Sequence, residues 1–239
     1  NYIVALDIGT SKVVCLIGSI SDSHSIEIDA MGSYPSSGLK KGVVVNIDAT
    51  TDAIQKSIEQ AKNSFEGKIK NVFVGIAGNH IKSLNSHGIV GIKDKEVTQL
   101  DIEKVIDAAQ AVAIPSDQRV LHVLPQEFVI DDQDAIREPL GMSGVRLESH
   151  VHLVTCANNA IQNIEKCVKR CGIGIDGFVL EQLASSYSIL SNDEKELGVC
   201  IVDIGGGTTD IAIFNNGSIC FTGVIPIAGD QVTSDIAVA

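Results

Sequence analysis

Basic residues are scarce in this 239-residue chain: 18 Lys and Arg stand against 30 Asp and Glu, a formal net charge of −12. A surface that tracks a nucleic-acid backbone needs clustered Lys and Arg, so no nucleic-acid partner is expected. A polybasic patch for an anionic membrane surface is equally missing. No apolar run approaches the roughly 20 residues that span a bilayer. The start, Asn1-Tyr2-Ile3-Val4-Ala5-Leu6-Asp7, carries no basic region or cleavage signal of the secretory kind. Low-complexity tracts are absent. The six cysteines (Cys15, Cys156, Cys167, Cys171, Cys200 and Cys220) sit mostly among apolar neighbours, as small hydrophobes do in a reduced compartment. The expectation is a soluble, cytoplasmic protein. With 44% hydrophobic residues, a chain of this length supports one to two domains at about 150 residues each.

What is present is an alternation of strands and helices. Tyr2 to Leu6, Val13 to Ile20 and Ile26 to Tyr34 read as strands, broken by Asp-Ile-Gly-Thr-Ser and by Ser21-Asp22-Ser23-His24-Ser25. A helix capped by Asp48 follows, with Ile54, Ile58, Ala61 and Phe65 at helical spacing. Asn71 to Ala77 is a further strand. Asn79 to Lys95 is polar and punctuated by glycine. Thr98 caps a helix with Ile102, Val105, Ile106, Ala109 and Val112 on one face. Arg119 to Ile130 reads as a strand whose Pro125 marks an edge or bulge, and Val145 to Cys156 as another. Residues 80–157 thus form a small inserted α+β subdomain. The spacing predicts a helix from Asn158, closed by Gly172, then a strand over Ile173–Val179 and a helix over Leu180–Leu190. Ser191 to Glu196 reads as a charged connector. Strands Val199–Asp203, Thr209–Phe214 and Ser218–Ile225 follow, the last two joined by Asn215-Asn216-Gly217, a strong hairpin signal. Thr233 to Ala239 starts a helix too short to stand alone. The sheet face carrying Ile201, Ile211, Ile213 and Val224 is therefore expected to be poorly covered.

One internal repeat stands out. Ile3-Val4-Ala5-Leu6-Asp7-Ile8-Gly9-Thr10-Ser11 matches Cys200-Ile201-Val202-Asp203-Ile204-Gly205-Gly206-Gly207-Thr208-Thr209. Each is an apolar strand ending in Asp-Ile-Gly, then a turn of small residues. An Asp at the end of a buried strand places a carboxylate at the rim of the sheet. Glycine lets the backbone approach a ligand closely, and consecutive N–H groups make an anion-binding concavity. Mg²⁺ takes oxygen ligands and keeps several waters, so one or two carboxylates hold it beside phosphates. The pair of turns suits a triphosphate gripped from two sides. Asp7 and Asp203 would organise the metal, mainly through water. Gly9, Thr10, Ser11 and Lys12 would hold one side of the phosphates, and Gly205, Gly206, Gly207, Thr208 and Thr209 the other. Asp210 touches the metal or its waters, or only ends the turn.

At these residues a resemblance enters. The two Asp-Ile-Gly turns resemble the phosphate motifs of the actin, DnaK-type chaperone and sugar-kinase superfamily. Ala184-Ser185-Ser186-Tyr187 resembles the segment linking its two halves. Within that superfamily the whole chain is similar to the FtsA family, through Gly38-Leu39-Lys40-Lys41-Gly42, Val120 to Gln126, Gly141 to Arg146 and Gly198 to Asp203. The resemblance implies an α/β actin-like (ribonuclease H-like) ATPase fold with an inserted small α+β subdomain and an incomplete second half. Residues 1–79 and 158–194 would form the first nucleotide-binding half, 80–157 the family's own subdomain, and 195–239 the start of the second half. It also implies ATP and Mg²⁺ as cofactors, slow or undetectable hydrolysis, self-association into filaments, and work with the tubulin-like FtsZ and other division proteins at the cytoplasmic face of the septal membrane. By that resemblance the family's FtsZ site, most of its adenine pocket and its C-terminal membrane helix would fall beyond Ala239.

Several other residues invite chemistry. Glu181 sits where superfamily members carry an acid that orients the attacking water, or it is a helix-start glutamate favoured by the dipole. His150, His152 and Cys156 share one strand face, which is a zinc face or an ordinary strand side with no fourth ligand in view. Cys167 and Cys171, four apart beside Ile164 and Val168, read as core packing. The rival function class is a kinase or chaperone-like ATPase of the same superfamily. A kinase needs a base in the cleft for its substrate and has no need of the 80–157 insertion.

Overall fold

In a computed structural model, residues 2–21 and 25–238 are described, so Asn1, Ala239 and Asp22-Ser23-His24, within the break expected between the second and third strands, lie outside the described residues. The first sheet combines β1 (Tyr2–Ile8), β2 (Lys12–Ile20) and β3 (Ile26–Pro35). A two-stranded ribbon of β4 (Leu39–Lys40) and β5 (Val43–Val44) leads to α1 (Ile47–Lys62) and β6 (Asn71–Ile76). An inserted unit follows: β7 (Ile81–Gly91), α2 (Gln99–Gln110), β8 (Gln118–Ile130), β9 (Gln133–Ile136) and β10 (Arg146–Ala157). The chain returns through α3 (Asn158–Arg170), β11 (Gly174–Leu180), α4 (Glu181–Ile189) and α5 (Asn192–Leu197). It ends with β12 (Val199–Ile204), β13 (Thr209–Asn215), β14 (Ser218–Ile225) and α6 (Gly229–Val238).

The first sheet has the order β11-β6-β1-β2-β3, with β1, β2 and β3 antiparallel and β6 and β11 parallel to β1. Alternation along each strand sends Val4, Leu6, Cys15, Ile17, Val72 and Val74 to one face, where Ile54, Ile58 and Ala61 of α1 and Ile161, Ile164 and Cys167 of α3 bury them. Cys167 is core packing, as its neighbours suggested, and Cys171 packs against the same core. The α1 cap is Asn46, not Asp48. The helix starts at Ile47, so the residue with extended backbone and a free side-chain oxygen is Asn46, whose Oδ1 accepts from the Ala49 N–H at 3.0 Å. Asp48 instead lies in the first turn and pairs with Arg170 at 2.6 Å.

The inserted unit is a four-stranded sheet, β7-β10-β8-β9, carrying α2 on one face. The cap Thr98 and Asp101 satisfy each other's backbone N–H groups. At Pro125 the β8–β10 register shifts, as a residue without an N–H requires. The polar stretch after Asn79 is a strand. Its polar side chains face β14, where Ser83 Oγ donates to the Thr222 carbonyl (3.1 Å) and Asn85 Nδ2 to that of Cys220 (3.2 Å). The buried His152 sits between them. Its Nδ1 lies 2.6 Å from Asn85 Oδ1 and its Nε2 3.0 Å from Thr222 Oγ1, so Nδ1 carries the proton and Thr222 donates to Nε2. Gln126 adds a bond to the Ile219 carbonyl and accepts one from Ser218. These contacts replace the zinc alternative: both His152 nitrogens are taken, while His150 faces Glu127 and Cys156 is in the main core.

The second sheet, β12-β13-β14, is antiparallel throughout. Asn216 and Gly217, at φ of 49° and 73°, form the expected hairpin turn. Ile213 is exposed as anticipated and shares its face with Ile211, but Ile201 lies on the opposite, covered side. Ile201, Ala212, Phe214 and Ile219 are buried against Leu124 and Leu190, because the inserted unit covers them. The bare side carries Val202, Ile204, Phe221 and Ile225. Residues 191–197 also differ from expectation: Ser191 and Glu194 form a capping box that starts α5. α6 begins at Gly229, earlier than Thr233, and buries none of its residues.

Candidate functional site

The repeat in the sequence is a repeat in space. Ile8 pairs with Val13 and Ile204 with Thr209, so each turn holds four residues between its last paired residues. In the first, the Gly9 N–H donates to the Lys12 carbonyl at 3.0 Å; in the second, Gly205 donates to Thr208 at 2.9 Å. The two turns face each other across a cleft of about 320 Å³. Gly9, Thr10, Ser11, Lys12 and Gly205, Gly206, Gly207, Thr208 all line it, as do Asp7, Asp203, Asp210 and Glu181.

The tips touch. A Cβ built on Gly206 would overlap Ser11 Oγ, and one on Gly207 would lie 2.8 Å from Thr10 Oγ1 and 3.1 Å from the Cα of Lys41. Bare glycine on the second turn is what allows the first turn, with its two side chains, to come this close.

Four carboxylates converge behind the tips. Burial raises Glu181 well above the usual carboxylate range, and the charges of Asp7, Asp210 and Asp203 push it further. Burial also raises Asp7, with Lys12 acting against it and Asp203 with it. Burial raises Asp210 as well, offset by bonds from Thr208 and the Gly78 N–H. Such a cluster is short of positive charge, which fits a divalent cation taking the place of protons. Among the described residues no group of three or more His, Cys, Asp or Glu is placed to hold a metal ion.

Not every expected residue reaches the cleft. Thr209 does not line it; its hydroxyl donates to the Ile227 carbonyl at 2.7 Å. Thr208 uses its hydroxyl on Asp210 Oδ2 (2.9 Å), and Gln182 Nε2 donates to Asp210 Oδ1 (3.0 Å). Asp210 is thereby a buried tie between the linking helix and the second turn. Glu181 opens α4 as expected and also lines the cleft, so its two readings meet in one place.

Other cleft residues were not foreseen. Gly42 and Ala77 line it, and the Gly42 N–H donates to Thr10 Oγ1 at 3.1 Å. Its signal was the Lys41-Gly42 pair between two short strands. His122 accepts the Leu180 N–H on Nε2 at 2.9 Å, fixing the residue before Glu181, and burial lowers its pKa so that the acceptor stays neutral. Ser185 Oγ reaches Asp203 at 3.4 Å. Single polar residues in strands and helices carry no periodic signal that would mark them.

The chain is similar to known proteins over its full length. A family profile described as "SHS2 domain inserted in FTSA" matches residues 78–155, and one described as "Cell division protein FtsA" matches residues 200–239. Proteins named cell division protein FtsA from Pseudomonas aeruginosa and Escherichia coli K12 are 66% and 46% identical across all 239 residues. The one from Neisseria meningitidis is 52% identical over 237 residues. The chain spans 57% of the length of each of these relatives. Among solved structures, a PilM-PilN type IV pilus biogenesis complex aligns over 98% of this chain and 64% of that one, with a TM-score of 0.72 and 16% identity. The ethanolamine utilization protein EutJ from Carboxydothermus hydrogenoformans aligns over 99% of this chain and 56% of its own, with a TM-score of 0.57 and 16% identity. The α/β architecture is the actin-like ATPase fold, a nucleotide-binding fold, with the inserted unit expected from the sequence. No helix among the described residues is long and apolar enough to cross a membrane.

Proposed function

From the chain's membership of the FtsA family of actin-like proteins, we propose that it binds Mg-ATP between its two Asp-Ile-Gly turns and works as a nucleotide-dependent scaffold in cell division. The observation that carries this reading is the pair of turns with one backbone pattern, facing each other over a cleft lined by four carboxylates. The backbone N–H groups of Thr10 and Ser11 and of Gly206 and Gly207 bind the phosphates, while those of Gly9 and Gly205 close the turns. Lys12 neutralises one side. Asp7 and Asp203 hold a hydrated Mg²⁺, with Asp210 keeping the second turn in place. Bound there, the ion neutralises phosphate charge. Glu181, held by burial in its protonated form over a wider pH range than an exposed glutamate, becomes a carboxylate able to orient water once a cation offsets its neighbours.

The scaffold role rests on the relatives' description as division proteins. In this reading, nucleotide binding sets the closure of the two halves, and closure sets self-association and recruitment of FtsZ and later division proteins at the cytoplasmic membrane. The nucleotide acts by binding one closure state better than the other. The test uses the full-length protein that carries this chain. Asp203→Ala is expected to weaken Mg-ATP binding more than metal-free ATP binding; equal losses would remove the metal role. A kinase of the same superfamily would turn over ATP at about 10 per second with its acceptor, whereas the scaffold is expected to hydrolyse it slowly or not detectably.

A further inference from the structure

The turn between β4 and β5 belongs to neither Asp-Ile-Gly motif, yet it touches both. Its two residues, Lys41 and Gly42, have φ of 53° and 74°. For Gly42 that conformation is free, but for Lys41 it carries strain of the kind held in place at functional sites. The Gly42 N–H is fastened to Thr10 Oγ1 of the first turn (3.1 Å), and a Cβ on Gly207 of the second would lie 3.1 Å from the Cα of Lys41. Gly42 itself lines the cleft. Backbone packing holds it there too, since a Cβ on Gly42 would lie 2.7 Å from both the Ala77 carbonyl and the Cα of Gly78.

Charge adds a second, independent observation. The cleft is lined by four carboxylates and one cation, Lys12. A triphosphate brings more negative charge than one Mg²⁺ removes. Lys41 is exposed, and among the described residues it forms no ion pair. Lys41 does not itself line the cleft, but its Cα packs beside Gly207, and its ammonium, on a flexible four-carbon stem, is free to swing toward a ligand held there.

We propose that the Lys41-Gly42 turn is a third phosphate-binding element, with Gly42 fixing its position and the Lys41 ammonium engaging the phosphate chain of the bound nucleotide. This rests on the nucleotide reading above and assigns a binding residue within it. The test exploits the backbone. Lys41→Gly removes the ammonium while suiting the left-handed conformation, so the fold is left intact or made more stable. A thermal melt checks that directly. Affinities for Mg-ATP, Mg-ADP and adenosine are then measured by calorimetry on the full-length protein and on Lys41→Gly and Lys41→Arg.

A charge-assisted contact predicts at least about a tenfold loss of Mg-ATP affinity in Lys41→Gly. The loss should be smaller for Mg-ADP and absent for adenosine, and Lys41→Arg should restore most of it. Equal Mg-ATP affinity in Lys41→Gly and the unsubstituted protein would overturn the assignment while leaving the nucleotide reading standing. A loss of the same size for adenosine would overturn it too, by showing a structural effect. No Mg-ATP binding by the unsubstituted protein would overturn the nucleotide reading itself, and this assignment with it.

Discussion

The two Asp-Ile-Gly turns share a skeleton and differ in almost every side chain. Both have Asp two residues before the loop, four residues in the loop, and a glycine N–H closed onto the fourth residue's carbonyl. Position by position, Thr10 stands against Gly206, Ser11 against Gly207, Lys12 against Thr208 and Val14 against Asp210. The first turn keeps its hydroxyls and its cation toward the cleft. The second is stripped at the tip because the first turn already fills that space, and its Thr208 and Asp210 are spent on each other and on Gln182. The shared skeleton is what a phosphate needs from each half; the differences are what the halves need from one another. Glycine at 206 and 207 thus answers to the opposing turn as well as to a ligand.

The largest effect follows from that fit. Gly206→Val is expected to hold the tips apart and reduce Mg-ATP affinity by a hundredfold or more. The mirror change, Thr10→Gly, opens space and loses only the bond from Gly42, so it should cost about 1 kcal/mol of binding or stability. Calorimetry on both variants breaks the comparison if their losses are equal. Within the second turn's surroundings, Thr222→Val leaves the buried His152 Nε2 without a donor and should destabilise the protein by about 1–3 kcal/mol in denaturant titration.

The acidic cluster gives a change of opposite sign. Glu181 has a raised folded pKa, so the stability it contributes is present at low pH and lost as pH rises through its folded value. Glu181→Gln removes that loss and should raise the melting temperature of the nucleotide-free protein at neutral pH by a few degrees. It should also shrink the further rise given by Mg-ATP. The buried histidines act in the other direction. Burial lowers His80 and His152 from 6.5 to about 4, so stability present above pH 6.5 is lost as pH falls toward 4. His152→Gln is expected to lower stability at pH 7 but flatten that acid-side slope, read from denaturation midpoints between pH 7 and pH 4.

The first half was largely legible because its strands alternate cleanly and its helices carry apolar stripes, and both Asp-Ile-Gly turns announced themselves by repetition. β7 was hidden because Ser83 and Asn85 are polar for a tertiary reason, their bonds to β14, which no local pattern encodes. The same contact takes Ile201 off the exposed face of the second sheet, where it is covered by the inserted unit rather than by later helices, while Ile213 stays exposed as expected. The inserted residues therefore pack onto the second sheet, and their deletion should disturb β14 and with it the sheet that carries the second turn. The short helix α5 was missed although Ser191 and Glu194 spell its capping box, since a run of charges reads first as a connector. At the site, the glycines and aspartates were visible as types, but the engagement of Asp210 with Gln182 and the approach of Lys41 depend on residues far apart in the chain.

The central claim is that both turns grip one nucleotide with the metal between Asp7 and Asp203. A crystal structure of the full-length protein with Mg²⁺ and a non-hydrolysable ATP analogue tests it most directly. The expected result is backbone N–H groups of Thr10 and Ser11 and of Gly206 and Gly207 within hydrogen-bond distance of the same triphosphate, with Asp7 and Asp203 each joined to the ion through water. A nucleotide held by one turn alone, or a metal bound away from both aspartates, would contradict it.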